Sequence, residues 1–268
     1  MQDLKIAYFQ SDLHWENPEA NRDHFDKMFA SMQQQNDLIV LPETFNTGFP
    51  VDPARFAETD QGATIEWMRK RAADFNAVIC GSILLSEAEK FYNTLIWMRP
   101  DGTFETYYKR HVFRMGGEHK LIEPGKKLLS VELKGWKIRP LICYDLRFPV
   151  WSKNNYIDGS WDYDLLIYIA NWPAVRSLPW KQLLIARAIE NQSYVLGVNR
   201  IGQDGPGNLY SGDSCLLDAK GLILSQASAE KEMIIESVLN HSELLIFRDK
   251  FNVGLDWDRF NILLLPPD

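Results

Sequence analysis

Short, almost wholly apolar runs separated by amphipathic stretches pattern this chain, and they restrict it to folds in which buried strands are covered by helices. LKIAYFQ opens the series: Leu4, Ile6 and Tyr8 alternate with Lys5 and Ala7 as residues of a strand do. Asn17-Pro18 then supplies a cap and a first-turn proline. Beyond it Phe25, Met28, Phe29 and Met32 fall at i, i+3, i+4 and i+7, which predicts a helix with one apolar face. The run DLIVLPE, a helical stretch around Ile65 to Phe75 and the β-rich AVICGSIL complete a β-α-β-α-β rhythm, that of a layered α/β fold.

FYNTLIWM and TFETYYK flank Arg99-Pro100-Asp101-Gly102, whose proline and glycine suit a turn, so this pair is expected to form a hairpin and bring antiparallel pairing into the sheet. The second half repeats the rhythm with KIRPLICYD, DLLIYIAN, a helix around Trp180 to Asn191, YVLGVNRIG, and a second hairpin of DSCLLD and LILSQA joined by Asp218 to Gly221. Asn240 and Glu243 have the spacing of a capping box, which predicts a last helix. No Gly/Ser/Pro-rich linker divides residues 1–268, so one domain is expected.

Composition excludes several classes of function. A net charge of −7, with lysines and arginines scattered among acids, does not suit a surface that tracks phosphates, so no nucleic-acid partner is expected. Apolar runs such as Leu165 to Ala170 fall far short of the ~20 residues needed to cross a bilayer, and MQDLKIAYFQSDLHW lacks a basic leader. The three cysteines, Cys80, Cys143 and Cys215, are too few and too widely spaced for a disulfide framework, and none forms a C-x-x-C pair. A reducing cytoplasm, with neither membrane nor cofactor, is the expectation. His111 and His119 flank one loop without further ligands and are read as polar loop residues, not a metal site.

Three residues remain that suit chemistry. Cys143, in RPLICYDLRFP, stands where an apolar strand gives way to polar residues, the edge at which layered α/β folds present side chains to ligands; equally, a free cysteine in a strand is often inert packing. Glu43, in LIVLPETFNTGF, leaves a buried strand either as a solvated loop charge or as a general base in a cleft. Lys109 closes TFETYYK ahead of a loop with two glycines, where a surface lysine is the ordinary reading. As a set, a thiol, a carboxylate and an ammonium at three strand ends supply what amide cleavage needs: a nucleophile, a proton carrier and a cation where negative charge develops. In that scheme Glu43 takes the proton of Cys143, and Lys109 with the backbone N–H of Tyr144 faces the oxyanion. A thioester then awaits water activated by Glu43. G-x-S-x-G, H-E-x-x-H and G-x-x-x-x-G-K-[ST] do not occur.

LPETF, YYKRHVF and ICYDLRFP, in that order, resemble the Glu-Lys-Cys signature of the nitrilase superfamily of carbon–nitrogen hydrolases. The resemblance runs from KIAYFQ to the strand at Gly212-Asp213-Ser214. It implies a four-layer α-β-β-α sandwich that dimerises by stacking, with Glu43 as base, Lys109 as the lysine, Cys143 as nucleophile and Glu118 as a second glutamate supporting the lysine. PETFNTGF, KRHVFRMGGEH and ANWPAVR with ARAIENQ are most similar to the omega-amidases, which hydrolyse the terminal amide of 2-oxoglutaramate or 2-oxosuccinamate. Such substrates carry a carboxylate, for which Arg114, Arg147 and Arg176 lie in motif flanks, Arg176 and Arg114 being preferred. Phe45, Tyr144 and Trp172 are expected to wall the pocket. The same triad also fits an N-carbamoyl-amino-acid hydrolase, a nitrilase, or, in a different class, a scaffold that kept the fold and lost activity.

Overall fold

The alternation in LKIAYFQ becomes strand β1 (Leu4–Gln10) of the computed structural model, which describes residues 2–50 and 52–263. Helix α1 (Pro18–Ala30) follows, its Asn17 side chain accepting from the N–H of Ala20 at 3.1 Å, and its stripe of Phe25, Met28 and Phe29 is buried. The chain continues through β2 (Leu38–Val40), the single turn α2 (Pro53–Phe56), α3 (Ala63–Phe75), β3 (Val78–Glu87), β4 (Lys90–Met98) and β5 (Phe104–Tyr108). The β4–β5 connection is the expected tight turn, closed by Gly102 N–H donating to the Arg99 carbonyl at 2.9 Å, with Gly102 at φ 84°.

The second half supplies β6 (Val131–Leu133), β7 (Trp136–Ile142), the short helix α4 (Pro149–Ser152), a small hairpin of β8 (Tyr156–Ile157) and β9 (Ser160–Trp161), β10 (Leu165–Ala170) and α5 (Ser177–Asn191). Then come β11 (Tyr194–Asn199), a hairpin of β12 (Ile201–Gln203) and β13 (Leu209–Ser211), β14 (Cys215–Leu217), β15 (Ile223–Gln226), β16 (Met233–Leu239) and α6 (His241–Lys250). The Asn240 side chain accepts from Glu243 N–H at 3.0 Å, the cap anticipated for the last helix.

Two six-stranded sheets result, ordered β16-β1-β2-β3-β4-β5 and β15-β14-β11-β10-β7-β6. In each the middle strands run parallel and the flanking ones antiparallel. Strand periodicity decides which side chains meet. Leu4, Ile6 and Tyr8 of β1 share one buried cluster with Ile138 and Ile142 of β7, so this face lies against the other sheet. Ala7 and Phe9 point the opposite way, into a cluster with Phe25 and Phe29 of α1 and Ile65 and Met68 of α3. Trp180, Leu184 and Ala188 of α5 cover the outer face of the second sheet, which gives the α-β-β-α layering. No helix among the described residues is long and apolar enough to cross a membrane.

The edge strand β16 has no counterpart in the sequence reading, nor do the short strands β6, β8, β9 and β13. β16 pairs along its whole length with β1, from Leu4 with Leu239 to Gln10 with Met233. Just before it, Glu232 accepts from the His24 ring at 2.7 Å and so ties α1 to this edge. The contact raises the His24 pKa and lowers that of Glu232. The His24 contribution is therefore present in full below its unfolded-state value and fades as pH rises through the raised native one, while the Glu232 contribution fades on acidification through its depressed value. His24→Ala is expected to cost about 0.2–1 kcal/mol near pH 5.5 and close to nothing above pH 8, read as the gap between the two denaturation midpoints. A gap that widens with pH would contradict the pairing.

Candidate active site

Each of the three sequence candidates leaves a strand toward the same opening. Glu43 follows β2, Lys109 directly follows β5, and Cys143 directly follows β7. Glu43 and Lys109 thus come from one sheet and Cys143 from the other. Register lines them up: Ile83, Thr94 and Tyr108 are level across β3, β4 and β5, and Lys109 N–H donates to the Asn93 carbonyl at 2.9 Å. After Glu43 the backbone turns sharply at Thr44, which has φ 40° and whose N–H donates to Ser82 Oγ at 2.8 Å. Cys143 itself sits at φ 43°, a left-handed conformation that costs a non-glycine residue energy and recurs where a side chain must be aimed.

The side chains converge. Glu43, fully buried, accepts at Oε1 from Lys109 Nζ (2.9 Å) and Asn93 Nδ2 (2.7 Å), and at Oε2 from Asn171 N–H (2.7 Å). Lys109 Nζ also reaches both oxygens of Glu118, at 3.1 and 3.0 Å, and the N–H of Phe113 secures Glu118 at 2.5 Å. The Cys143 Sγ lies 3.8 Å from the Asn171 carbonyl oxygen, with the Glu43 carboxylate near enough for its charge to act on the thiol. Asn171 follows β10, the parallel neighbour of β7, and its Nδ2 donates to the Glu43 carbonyl and to Thr44 Oγ1, both at 2.8 Å. It therefore holds the Glu43 loop of one sheet against the Cys143 end of the other.

Burial and charge set the protonation states. Desolvation alone would depress the Lys109 pKa, but the carboxylates of Glu118 and Glu43 outweigh it and the net shift is upward, so the ammonium stays charged. Burial raises the Glu118 carboxyl against the pull of Lys109, and Glu43 raises it further. The Cys143 thiol is raised well above its ordinary value, first by burial and then by the nearby Glu43 charge, with Lys109 opposing. At rest the sulfur keeps its proton, with a carboxylate beside it to receive it. Transfer to Glu43 leaves the total charge of the buried group unchanged, which avoids a second desolvation penalty.

This constellation opens into a cavity of about 420 Å³. Tyr144 and Trp172 line it, as the sequence suggested, together with Arg147 and Arg176. Arg147 lies over the Trp172 ring at 4.9 Å and Arg176 over the Phe113 ring at 5.4 Å. Among the described residues neither guanidinium has a carboxylate partner.

Two expected pocket residues lie elsewhere. Phe45 is buried in the helix-side core, 5.6 Å from the Phe25 ring and 5.7 Å from that of Trp67. Its N–H donates to the Ser82 carbonyl, which carries the chain along β3 and turns the ring away from the cavity onto Gly81, where a Cβ would come within 2.9 Å of it. Phe49, four residues on, takes the place imagined for it, with Lys109 Nζ 5.3 Å from its ring. Arg114 is exposed and does not line the cavity, whereas Met115 and Gly116 of the same turn, Arg114–Gly116, do.

Asn93 and Asn171 were not singled out in the sequence. The available signal was slight: a lone amide in β4 between the aromatic pair Phe91-Tyr92 and the run Thr94 to Met98, and another at the very end of the apolar run DLLIYIAN. Both mark points where a buried polar group must find partners.

The sequence profile of carbon-nitrogen hydrolases matches residues 5–243. The omega-amidase YafV of Yersinia enterocolitica is 44% identical over 265 residues, spanning 98% of this chain and 100% of that protein. The 2-oxoglutaramate amidase of Bacillus subtilis is 31% identical over 232 residues, or 85% of this chain and 88% of its own length. Among solved structures, XC1258 from Xanthomonas campestris, a CN-hydrolase superfamily protein with an arsenic adduct in its active site, superposes with a TM-score of 0.95 at 40% identity, covering 98% of this chain and 100% of that one.

Proposed function

Given that this chain belongs to the carbon–nitrogen hydrolase family, we propose that it is an omega-amidase which releases ammonia from the terminal amide of a 2-oxo acid such as 2-oxoglutaramate. The observation that carries this reading is one cavity holding a buried thiol, carboxylate and ammonium together with two guanidinium groups that have no carboxylate partner among the described residues.

The substrate amide sits over Cys143. As its carbonyl accepts the sulfur, the thiol proton passes to Glu43 and the S–C bond forms. The oxygen, now negative, faces Lys109 Nζ and the peptide N–H of Tyr144, the second residue of the turn Cys143–Arg147, where the first N–H groups lack partners within the turn. Collapse breaks the C–N bond, and Glu43 returns its proton to the departing nitrogen, so ammonia leaves neutral. Water then takes the vacated place and gives a proton to Glu43 as it attacks the thioester. Expulsion of the thiolate, reprotonated by Glu43, frees the carboxylic acid. Arg147 and Arg176 offer the distal carboxylate planar pairs of donors, with Arg176 taking over the part first given to Arg114.

The free thiol nucleophile suits a reducing compartment, and we place the protein in the cytoplasm. We further propose that it pairs with a second copy of itself: Leu178 and Ile189 of α5 and Leu245 and Ile246 of α6 expose apolar surface on the outermost layer, which a stacked sandwich would cover.

Ammonia release decides the substrate class. With 2-oxoglutaramate, an N-carbamoyl amino acid and an aliphatic nitrile at equal concentration, kcat/KM for the omega-amide is expected to lead by about 10²-fold or more, because only that substrate satisfies both ends of the cavity. Preference for the carbamoyl compound or the nitrile would overturn the assignment. Absence of turnover and of any acyl adduct would favour an inactive scaffold.

A further inference from the structure

The nucleophile and Lys109 belong to different sheets, and among the described residues no backbone ladder joins the two. Packing alone holds apolar faces together without fixing their relative slide to the accuracy a reacting geometry needs. Something directional must set it. Asn171 does so for Glu43. For Lys109 the corresponding link is Asp145, a fully buried carboxylate two residues past the nucleophile.

We propose that Asp145 is a positioning residue that sets the distance between the Cys143 sulfur and the Lys109 ammonium. Its Oδ2 accepts from the N–H of Ile142 (3.1 Å), which directly precedes Cys143, and from Tyr107 Oη (2.7 Å). Its Oδ1 accepts from the N–H of His111 (2.9 Å) and faces His111 Nδ1 at 2.7 Å. Tyr107 and His111 stand two residues before and two after Lys109, so one carboxylate grips both sides of the lysine and the approach to the nucleophile.

Its partners are themselves held. Tyr107 Oη accepts from Trp151 Nε1 (2.9 Å) and Arg110 N–H (3.2 Å), which fills its acceptor sites and commits its proton to Asp145. The His111 ring stacks on Phe148 with centroids 3.7 Å apart. Arg187 Nη2 donates to the Leu146 carbonyl at 2.6 Å and pins the far end of the Cys143 turn to α5. Three of these contacts bring a hydrogen to Asp145, and the fourth, His111 Nδ1, does so in its Nδ1–H tautomer, an arrangement that suits a group that only accepts. An ionised carboxylate does that and an amide does not.

The inference rests on Cys143 and Lys109 being the machinery proposed above, and its test separates the two. Asp145→Asn preserves volume but turns an NH2 toward N–H or O–H donors; Tyr107→Phe removes one donor and leaves the carboxylate. Two quantities are read for wild type and both variants: kcat and KM with 2-oxoglutaramate, and the rate of Cys143 alkylation by iodoacetamide, followed on the Cys143 peptide by mass. In Asp145→Asn, kcat is expected to fall about 10²-fold with KM within about threefold, and alkylation to slow about tenfold as the cation drifts from the sulfur. Tyr107→Phe should move both in the same direction by about threefold to tenfold.

Wild-type kcat and alkylation in Asp145→Asn would overturn the proposal, as would a lower denaturation midpoint with both rates intact well below it, which is the mark of a merely structural group. If Asp145→Asn does not fold, Tyr107→Phe decides, and wild-type values for both quantities in it would overturn the proposal. If the wild type turns over no omega-amide but alkylation separates the variants as stated, the substrate assignment falls and the positioning role stands.

Discussion

Changing Cys143 to Ala is expected to reduce ammonia release on the order of 10⁴-fold or more and to abolish the acyl adduct expected on the wild type when it is rapidly quenched and its mass measured. The size of the effect follows from Cys143 being the only thiol among the described residues that line the cavity. Cys80 is fully buried and its thiol is pushed up by desolvation, while Cys215 is pushed up to about 12 for the same first reason; neither lines the site. Stability should change little. The lost sulfur has one weak contact to the Asn171 carbonyl, and the strained backbone at φ 43° is unaffected by removing Sγ. Turnover above about one hundredth of wild type would place the nucleophile elsewhere.

The second large effect concerns the ammonium. Lys109→Met keeps an unbranched side chain of similar length and deletes the charge, leaving Glu43 and Glu118 buried side by side with no cation between them. Loss of an oxyanion partner is expected to cost kcat about 10²–10³-fold, and the uncompensated buried charge about 3–5 kcal/mol of stability. The two losses should respond differently to pH. Burial already raises Glu118 and Lys109 opposes the rise, so the variant should hold it higher still. A carboxyl raised above its unfolded value contributes stability that is complete below that unfolded value and is lost as pH rises through the folded one. The stability deficit should therefore be smaller at pH 5 than at pH 8, while turnover recovers at neither. A variant as stable as the wild type with kcat within threefold would show that the Lys109–Glu118–Glu43 cluster bears neither load.

Much of this arrangement was legible in the chain because local rules and tertiary packing agree. The Asn17 and Asn240 caps, the Arg99–Gly102 turn and the apolar stripe of α1 are all decided within a few residues and form as read, except that α1 ends at Ala30 and leaves Met32 beyond it. So do the strand ends that deliver Glu43, Lys109 and Cys143, since an apolar run that stops at a polar residue marks where a buried strand surfaces.

What stayed hidden depends on distant partners. β16 is a strand because β1 offers it an open edge; its own residues, MIIESVL, stand beside charges and carry half-buried side chains that blur the alternation. Phe45 was misplaced because proximity in sequence to Glu43 was read as proximity in space, whereas the left-handed Thr44 sends the two side chains to opposite faces. Asn93 and Asn171 act through bonds to a carboxylate 50 and 128 positions away, a relation no local pattern encodes. The choice among three arginines turned on the direction of each side chain within a short turn, where spacing is uninformative.

The pairing of β1 with β16 governs when the molecule can become competent. Each β1 residue leaves the ribosome more than 200 residues ahead of its β16 partner, Leu4 ahead of Leu239 and Gln10 ahead of Met233, so over that stretch of elongation the sheet bearing Glu43 and Lys109 carries an open flank. Closing so long a loop carries an entropic cost that the ladder must offset, and until it is made the nascent chain presents a β1 edge to which neighbouring chains can add.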